Sequence, residues 1–100
     1  MVKHIVIWKL HAEADGRTAA QNAELARERL EALAGRIPGL RHIEVGVDFL
    51  RSPQSGDLVL YTEMDDRDAL ETYQQHPEHQ ALLPFMKTIT CARQVIDYER

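Results

Sequence analysis

The chain has 100 residues, of which 44% are hydrophobic and 28% charged, and a formal net charge of -4. These values indicate a single globular domain over residues 1–100 and exclude a disordered chain. Because there is no basic block and no apolar stretch as long as a membrane span, we expect neither a nucleic-acid nor a membrane partner.

The first predicted element is a strand over residues 2–11. His4, Val6, Trp8 and Leu10 alternate with Ile5, Ile7 and Lys9, which is the period of a β-strand. Both faces of this strand are largely apolar. We therefore expect helices to cover one face and a second sheet or a second chain to cover the other.

A helix over residues 18–35 follows the turn signal Asp15-Gly16. Thr18 and Gln21 have the spacing of a capping box, and Gly35 is the expected C-cap. An apolar stripe at helical spacing defines the buried side of this helix, namely Ala19, Ala23, Ala26, Leu30 and Leu33.

Two further strands, over residues 40–49 and 57–63, are expected to form a hairpin. Asp65 or Asp66 then caps a helix that ends at His76, because Pro77 disfavours helical backbone at the residue before it. A second helix begins at Pro77 and is interrupted or kinked at Pro84, and residues 93–99 form the last strand.

The order β-α-β-β-α-α-β predicts an α+β, ferredoxin-like fold with a four-stranded antiparallel sheet and all helices on one face. We expect the other face to be apolar through Ile5, Ile7, Ile43, Val45 or Leu58 and Leu60. Such a face is larger than soluble monomers usually expose, so we predict a homodimer that pairs these sheet faces into a barrel-like core.

The segment 73–79, Tyr-Gln-Gln-His-Pro-Glu-His, combines a phenol, two histidines and a helix break. At the start of the second helix, free N–H groups would favour a neutral ring at His79, which makes it a candidate general base. His4 and Tyr73 are expected to converge with His79 in an apolar pocket between sheet and helices. The structural alternative is that these groups hydrogen-bond to one another and only satisfy a buried polar cluster.

A metal site made of His4, His76 and His79 is a further alternative. It lacks the carboxylate or cysteine ligands that usually accompany histidines, so we expect no metal and no cofactor. The single cysteine, Cys91, excludes an internal disulfide and suits a reducing compartment, which favours a cytoplasmic location. We expect Cys91 itself to be a small core residue.

At this point the chain resembles the stress-responsive A/B barrel (Dabb) family along almost its whole length. The resemblance rests on the joint order of six segments, residues 2–6, 37–39, 43–47, 57–61, 73–79 and 95–99. It implies a dimeric α/β barrel, and most members of the family are small proteins of unknown molecular role, some of them linked to stress tolerance.

One branch of this family is a plant polyketide cyclase that performs an aldol condensation without cofactor or metal. The resemblance implies that His79 is the base, that Tyr73 holds the carbonyl or enolate, and that His4 shapes the pocket. Trp8, Asp57 and His76 are candidate ligand-binding residues, although the position of Asp57 is a histidine in the cyclase. The implied ligand is a small aromatic or polyketide-like molecule.

Three classes of function therefore remain open. The first is a homodimeric stress-responsive protein of unknown role with a small-molecule pocket. The second is a cofactor-free enzyme, either cyclase-like or similar to the monooxygenases of neighbouring dimeric barrel families. The third is a protein without enzymatic activity whose dimer is itself the working object.

Overall fold

The computed structural model describes residues 1–100. Strand β1 spans Val2–Leu10 and is followed by a short hairpin of β2, Glu13–Ala14, and β3, Arg17–Thr18. Asp15 and Gly16 form its turn with φ angles of 55° and 76°. Two successive residues of positive φ are typical of the tightest hairpin turns. The sequence predicted this turn but not the two short strands beside it.

Helix α1 spans Ala19–Glu31 and begins with the predicted capping box. The Thr18 hydroxyl accepts a hydrogen bond from the backbone N–H of Gln21, and the Gln21 side chain accepts one from the Thr18 N–H. The helix ends four residues earlier than predicted. After the helix, Leu33, Ala34 and Arg36 each donate their N–H to the carbonyl three residues back, so the α-helical ladder stops before Gly35.

The predicted hairpin is confirmed as strands β4, Leu40–Val47, and β5, Leu58–Met64, which pair antiparallel. Helix α2 then spans Arg67–Gln75. Asp66 rather than Asp65 caps this helix, because its carboxylate accepts the N–H of Ala69 at 2.8 Å.

The last helical region is divided into two short helices, α3 over Pro77–Gln80 and α4 over Leu83–Ile89. Pro84 lies in the first turn of α4, so it begins a new helix instead of kinking a continuous one. Strand β6 spans Thr90–Glu99 and starts three residues before the predicted strand.

The predicted ferredoxin-like α+β fold is confirmed. The four long strands form one sheet in the order β4-β5-β1-β6, and every neighbouring pair is antiparallel. Helix residues from α1 and α4 and sheet residues from β1, β4 and β5 share one core. That core therefore lies on the side of the sheet that the helices cover. None of the helices is long and apolar enough to cross a bilayer.

The prediction of which apolar residues form the open face of the sheet is wrong in part. Val45, Leu58 and Leu60 lie in the core beneath the helices and not on the open face, and Ile43 packs against them. The reason is the register: Val45 pairs with Leu60 and Leu60 with Val6, so these residues share the helix-covered face of β1.

The open face of the sheet is formed by the alternate residues of each strand. Ile5 and Ile7 of β1 are opposite Tyr61 and Val59 of β5, and Ile5 is opposite Ile96 of β6. The side chains of Ile7 and Ile96 are 41% and 58% exposed. The centre of this face is therefore apolar and uncovered, whereas charged and polar residues lie around it.

Cys91 also departs from its expected place. It is exposed on β6, one of the two edge strands of the sheet, and not part of the core. Almost all of β6 is exposed because the helices cover mainly the other three strands. A sequence pattern that marks a strand does not show whether the strand lies at an edge.

Candidate functional site

A cavity of about 370 Å³ lies between the covered face of the sheet and the helices. Its apolar wall comes from strands β1 and β5 and from the helical region, namely Val6, Trp8, Leu30, Leu60, Leu82 and Met86. Its polar wall includes His4, His79, Lys87 and Arg93. A mainly apolar hollow of this size with a few polar groups is the usual form of a small-molecule site.

His4 is held at the cavity wall by the edge strand. It is buried on β1 and lies opposite Asp97 of β6 in the sheet. Its Nδ1 donates a hydrogen bond to the carboxylate of Asp97. A carboxylate partner on one ring nitrogen fixes the orientation and the tautomer of the imidazole.

Tyr73 is fully buried, and its hydroxyl has no hydrogen-bond partner among the protein groups. The centre of its ring is 5.9 Å from that of His4 and 4.4 Å from that of His79. Burial raises the pKa of Tyr73 far above its ordinary value, so the phenol stays protonated. The structural alternative is that these groups hydrogen-bond to one another. It is wrong for Tyr73, because its hydroxyl bonds to neither His4 nor His79.

His79 is a half-buried imidazole with one free basic nitrogen. Its Nδ1 lies 3.3 Å from the carbonyl oxygen of Gln74. A carbonyl only accepts hydrogen bonds, so Nδ1 carries the proton and Nε2 of the neutral ring keeps its lone pair. The same segment of chain thus supplies both the imidazole and the carbonyl that sets its tautomer.

The pKa of His79 is lowered from its ordinary value of 6.5, mainly because burial disfavours the charged ring. The hydrogen bond to Gln74 raises this pKa, whereas electrostatic interactions with His4, Arg93 and His76 lower it. The direction agrees with the prediction, and burial is its largest cause. Helix α3 has only four residues, so His79 lies in its single turn, as predicted.

Two predicted ligand-binding residues lie outside the cavity and support the backbone instead. Asp57 accepts a hydrogen bond from the N–H of Leu10 at 2.7 Å, beside the irregularity between Lys9 and Leu10 in the β1–β6 pairing. His76 accepts the N–H of Glu78 at 3.1 Å and so caps helix α3. Trp8, the third candidate, does line the cavity.

The metal alternative has no geometric support. No group of three or more histidine, cysteine, aspartate or glutamate side chains has the geometry to hold a metal ion. Within the proposed trio of His4, His76 and His79, the first ring is hydrogen-bonded to Asp97 and the second caps a helix.

The sequence reasoning missed Lys87 and Arg93, which both line the cavity. Arg93 lies opposite Trp8 in the sheet, so the two side chains share the covered face. The signal that the sequence offered for Arg93 was its position at the start of a predicted strand. Only the register of that strand against β1 assigns Arg93 to the cavity.

An antiparallel four-stranded sheet with a cavity beneath its helices defines a ferredoxin-like α+β protein. The chain belongs to the stress responsive A/B barrel domain family, whose sequence profile it matches over residues 2–100. The resemblance noted in the sequence is thereby confirmed. The family description names a stress response and no chemical reaction.

Three relatives illustrate the match. An uncharacterized protein of Streptomyces coelicolor is 37% identical over 82 residues, which is 81% of each chain. A Bacteroides fragilis crystal structure, described as a dimeric protein of unknown function with a ferredoxin-like fold, is 33% identical and superposes with a TM-score of 0.85 over 99% of this chain and 95% of that one. A dimeric ferredoxin-like protein of Thermobifida fusca is 23% identical, with a TM-score of 0.84 over 99% and 90%, and shows the shared fold.

Proposed function

We propose that the chain works as a homodimer in which each protomer binds a small, largely apolar molecule with a carbonyl group in the cavity. The observation that carries this proposal is the cavity itself, where His4 and His79 stand on an otherwise mainly apolar wall. The Nδ1 proton of each ring is already used, so the neutral imidazoles accept through Nε2 and would face the C–H next to the carbonyl group, while the apolar part of the ligand would contact Trp8 and Met86.

The homodimer is supported by the open face of the sheet. Ile7 and Ile96 leave a large part of their surface in water, and Ile5 lies between them in the sheet. Contiguous apolar surface of this kind marks an interface, and a two-fold axis lets the same face cover itself. The relatives from Bacteroides fragilis and Thermobifida fusca are described as dimeric.

The unpaired hydroxyl of Tyr73 supports a ligand-binding role for the polar cluster. A buried hydroxyl without a partner destabilises a fold, so a contribution to stability does not explain the hydroxyl of Tyr73. Its ring does not line the cavity but contacts His79, which does. We infer that Tyr73 positions His79, and that a small rearrangement on binding brings the phenol within reach of the ligand.

Proton abstraction next to the carbonyl is a second candidate function for the same site. The lowered pKa of His79 keeps its ring neutral near pH 7, and Nε2 has the lone pair that a general base needs. The phenol of Tyr73, protonated because of its raised pKa, is a suitable donor to a developing oxyanion. An intramolecular aldol condensation needs these two roles and no cofactor.

Binding of benzylacetone, a small aromatic ketone, tests the pocket directly. Trp8 is the only tryptophan and lines the cavity, so its fluorescence reports entry of this ligand. We expect saturable binding that is constant above pH 7 and weakens as the pH falls through the lowered pKa of His79. A neutral ligand expels water from the cavity and so destabilises the charged ring of His79. Because protonation and binding are linked, protonation of His79 in turn weakens binding of the ligand.

Two variants decide whether His79 causes this pH dependence. In H79Q, benzylacetone binding should no longer change between pH 5 and pH 8, whereas H42Q, which alters an exposed histidine paired with Glu44, should behave like the unmodified chain. Absence of any saturable change at Trp8 would refute the pocket. An unaltered pH profile in H79Q would refute the role of His79.

A further inference from the structure

The charge on the cavity wall has the opposite sign to that of the whole chain. The formal net charge of the chain is -4, yet Lys87 and Arg93 line the cavity and no aspartate or glutamate does. The carboxylate of Asp97, which contacts His4, is already bound to that ring. The cavity therefore offers two cations and no anion to a bound molecule.

Arg93 also differs from most other arginines of the chain. Five arginines form ion pairs with a carboxylate, namely Arg17, Arg27, Arg36, Arg41 and Arg67. Neither the guanidinium of Arg93 nor the ammonium of Lys87 has such a partner. Both side chains are exposed, so a ligand can replace water on them without breaking an existing contact.

We propose that the ligand of this cavity is an anion, an aromatic or alicyclic carboxylate, with its charge on Arg93 and Lys87 and its ring against Trp8 and Met86. This inference rests on the proposed function, because it names the class of molecule that the same cavity selects. It makes Arg93 the residue that determines specificity.

The chemistry of the side chains fits this class of ligand. Guanidinium presents parallel N–H donors that match both oxygens of a carboxylate, and a charged pair of this kind binds about twice as strongly as a neutral hydrogen bond. Arg93 lies opposite Trp8 on the neighbouring strand and both line the cavity, so one ligand can place its carboxylate on the guanidinium and its ring on the indole. A neutral ligand of the same shape uses only the second of these contacts.

Hydrocinnamate and its amide, hydrocinnamamide, form a matched pair for the test, since they differ in charge but hardly in shape. In titrations followed by Trp8 fluorescence and by calorimetry, we expect the full chain to bind hydrocinnamate at least about tenfold more tightly than the amide. This preference should shrink as salt is added, because Arg93 and Lys87 are exposed.

Substitution of Arg93 assigns the preference to one residue. R93Q should weaken hydrocinnamate binding about tenfold or more and leave hydrocinnamamide unchanged, whereas R93K should recover part of the loss. R27Q removes the same charge from the exposed side of α1 and should change neither ligand. Hydrocinnamate should also raise the pKa of His79 in an NMR titration, because an anion stabilises imidazolium.

The outcomes separate the two proposals. If hydrocinnamamide and benzylacetone bind at Trp8 as tightly as hydrocinnamate, or if R93Q weakens all three alike, the anion inference fails and the pocket stands. If none of the three perturbs Trp8 or His79, the pocket fails and the anion inference fails with it.

Discussion

Replacing Gly39 by alanine is expected to lower the free energy of unfolding by about 3 kcal/mol, from backbone strain and overpacking together. Gly39 has a φ of +84°, where side chains other than hydrogen are strained, and an added Cβ would lie 2.6 Å from the Cβ of Ala69. The Gly39 carbonyl accepts the N–H of Asp65 at 3.1 Å, so the turn cannot move freely away from α2. In a domain of this size, such a loss lowers Tm by roughly 15 °C.

G35A is the matched control for G39A. Gly35 has a φ of +75° with nothing within 4 Å of an added Cβ, so G35A should lose only the strain, about 1 kcal/mol. Urea unfolding of both variants measures the difference. The double variant G39A/A69G should be more stable than expected from the two single changes, because it removes the clash. Equal losses in G39A and G35A would show that the contact with Ala69 is not a constraint.

Replacing Ile96 by lysine is expected to convert the proposed homodimer into a monomer at micromolar concentration. Ile96 is 58% exposed and lies opposite Ile5 on the apolar open face. In a two-fold dimer the substitution buries one lysine from each copy without a partner, and an uncompensated buried charge weakens association by several kcal/mol. That corresponds to roughly a hundredfold or more in the dissociation constant.

Sedimentation velocity on the unmodified chain, on I96K and on A20K measures this effect. Ala20 is exposed on α1, on the other side of the molecule, so A20K adds the same charge and should remain dimeric. A monomeric unmodified chain, or an I96K variant that sediments as a dimer, would contradict the assignment of the open face as the interface.

The elements of the fold were accessible from the sequence because each has a local cause. The capping box at Thr18 and the proline at position 77 act through the residues next to them. The face on which Val45 and Leu60 lie was not accessible. The alternation of β4 gives it one apolar side, which predicts a buried face. Which side of the sheet this face lies on is decided by the register of β4 against β5 and of β5 against β1.

The candidate site could be predicted only in part, because contacts between distant elements also assemble it. His4, Tyr73 and His79 come together because the topology brings the end of α2 over β1. Asp57 and His76 have the same types of side chain as site residues, but each accepts a hydrogen bond from a backbone N–H instead. The contribution of Arg93 depends on a pairing between distant strands, which no local pattern reveals.

We propose that the polar cluster beneath the helices serves a ligand and not the fold, and the stability of the Tyr73→Phe variant measures this. The variant removes only a hydroxyl that is buried without a partner, and the phenyl ring keeps the packing against His4 and His79. In urea unfolding, we expect the free energy of unfolding of Tyr73→Phe to rise by about 1 kcal/mol. A fall of that size would mean that the hydroxyl stabilises the fold, and that the cluster has a structural role instead.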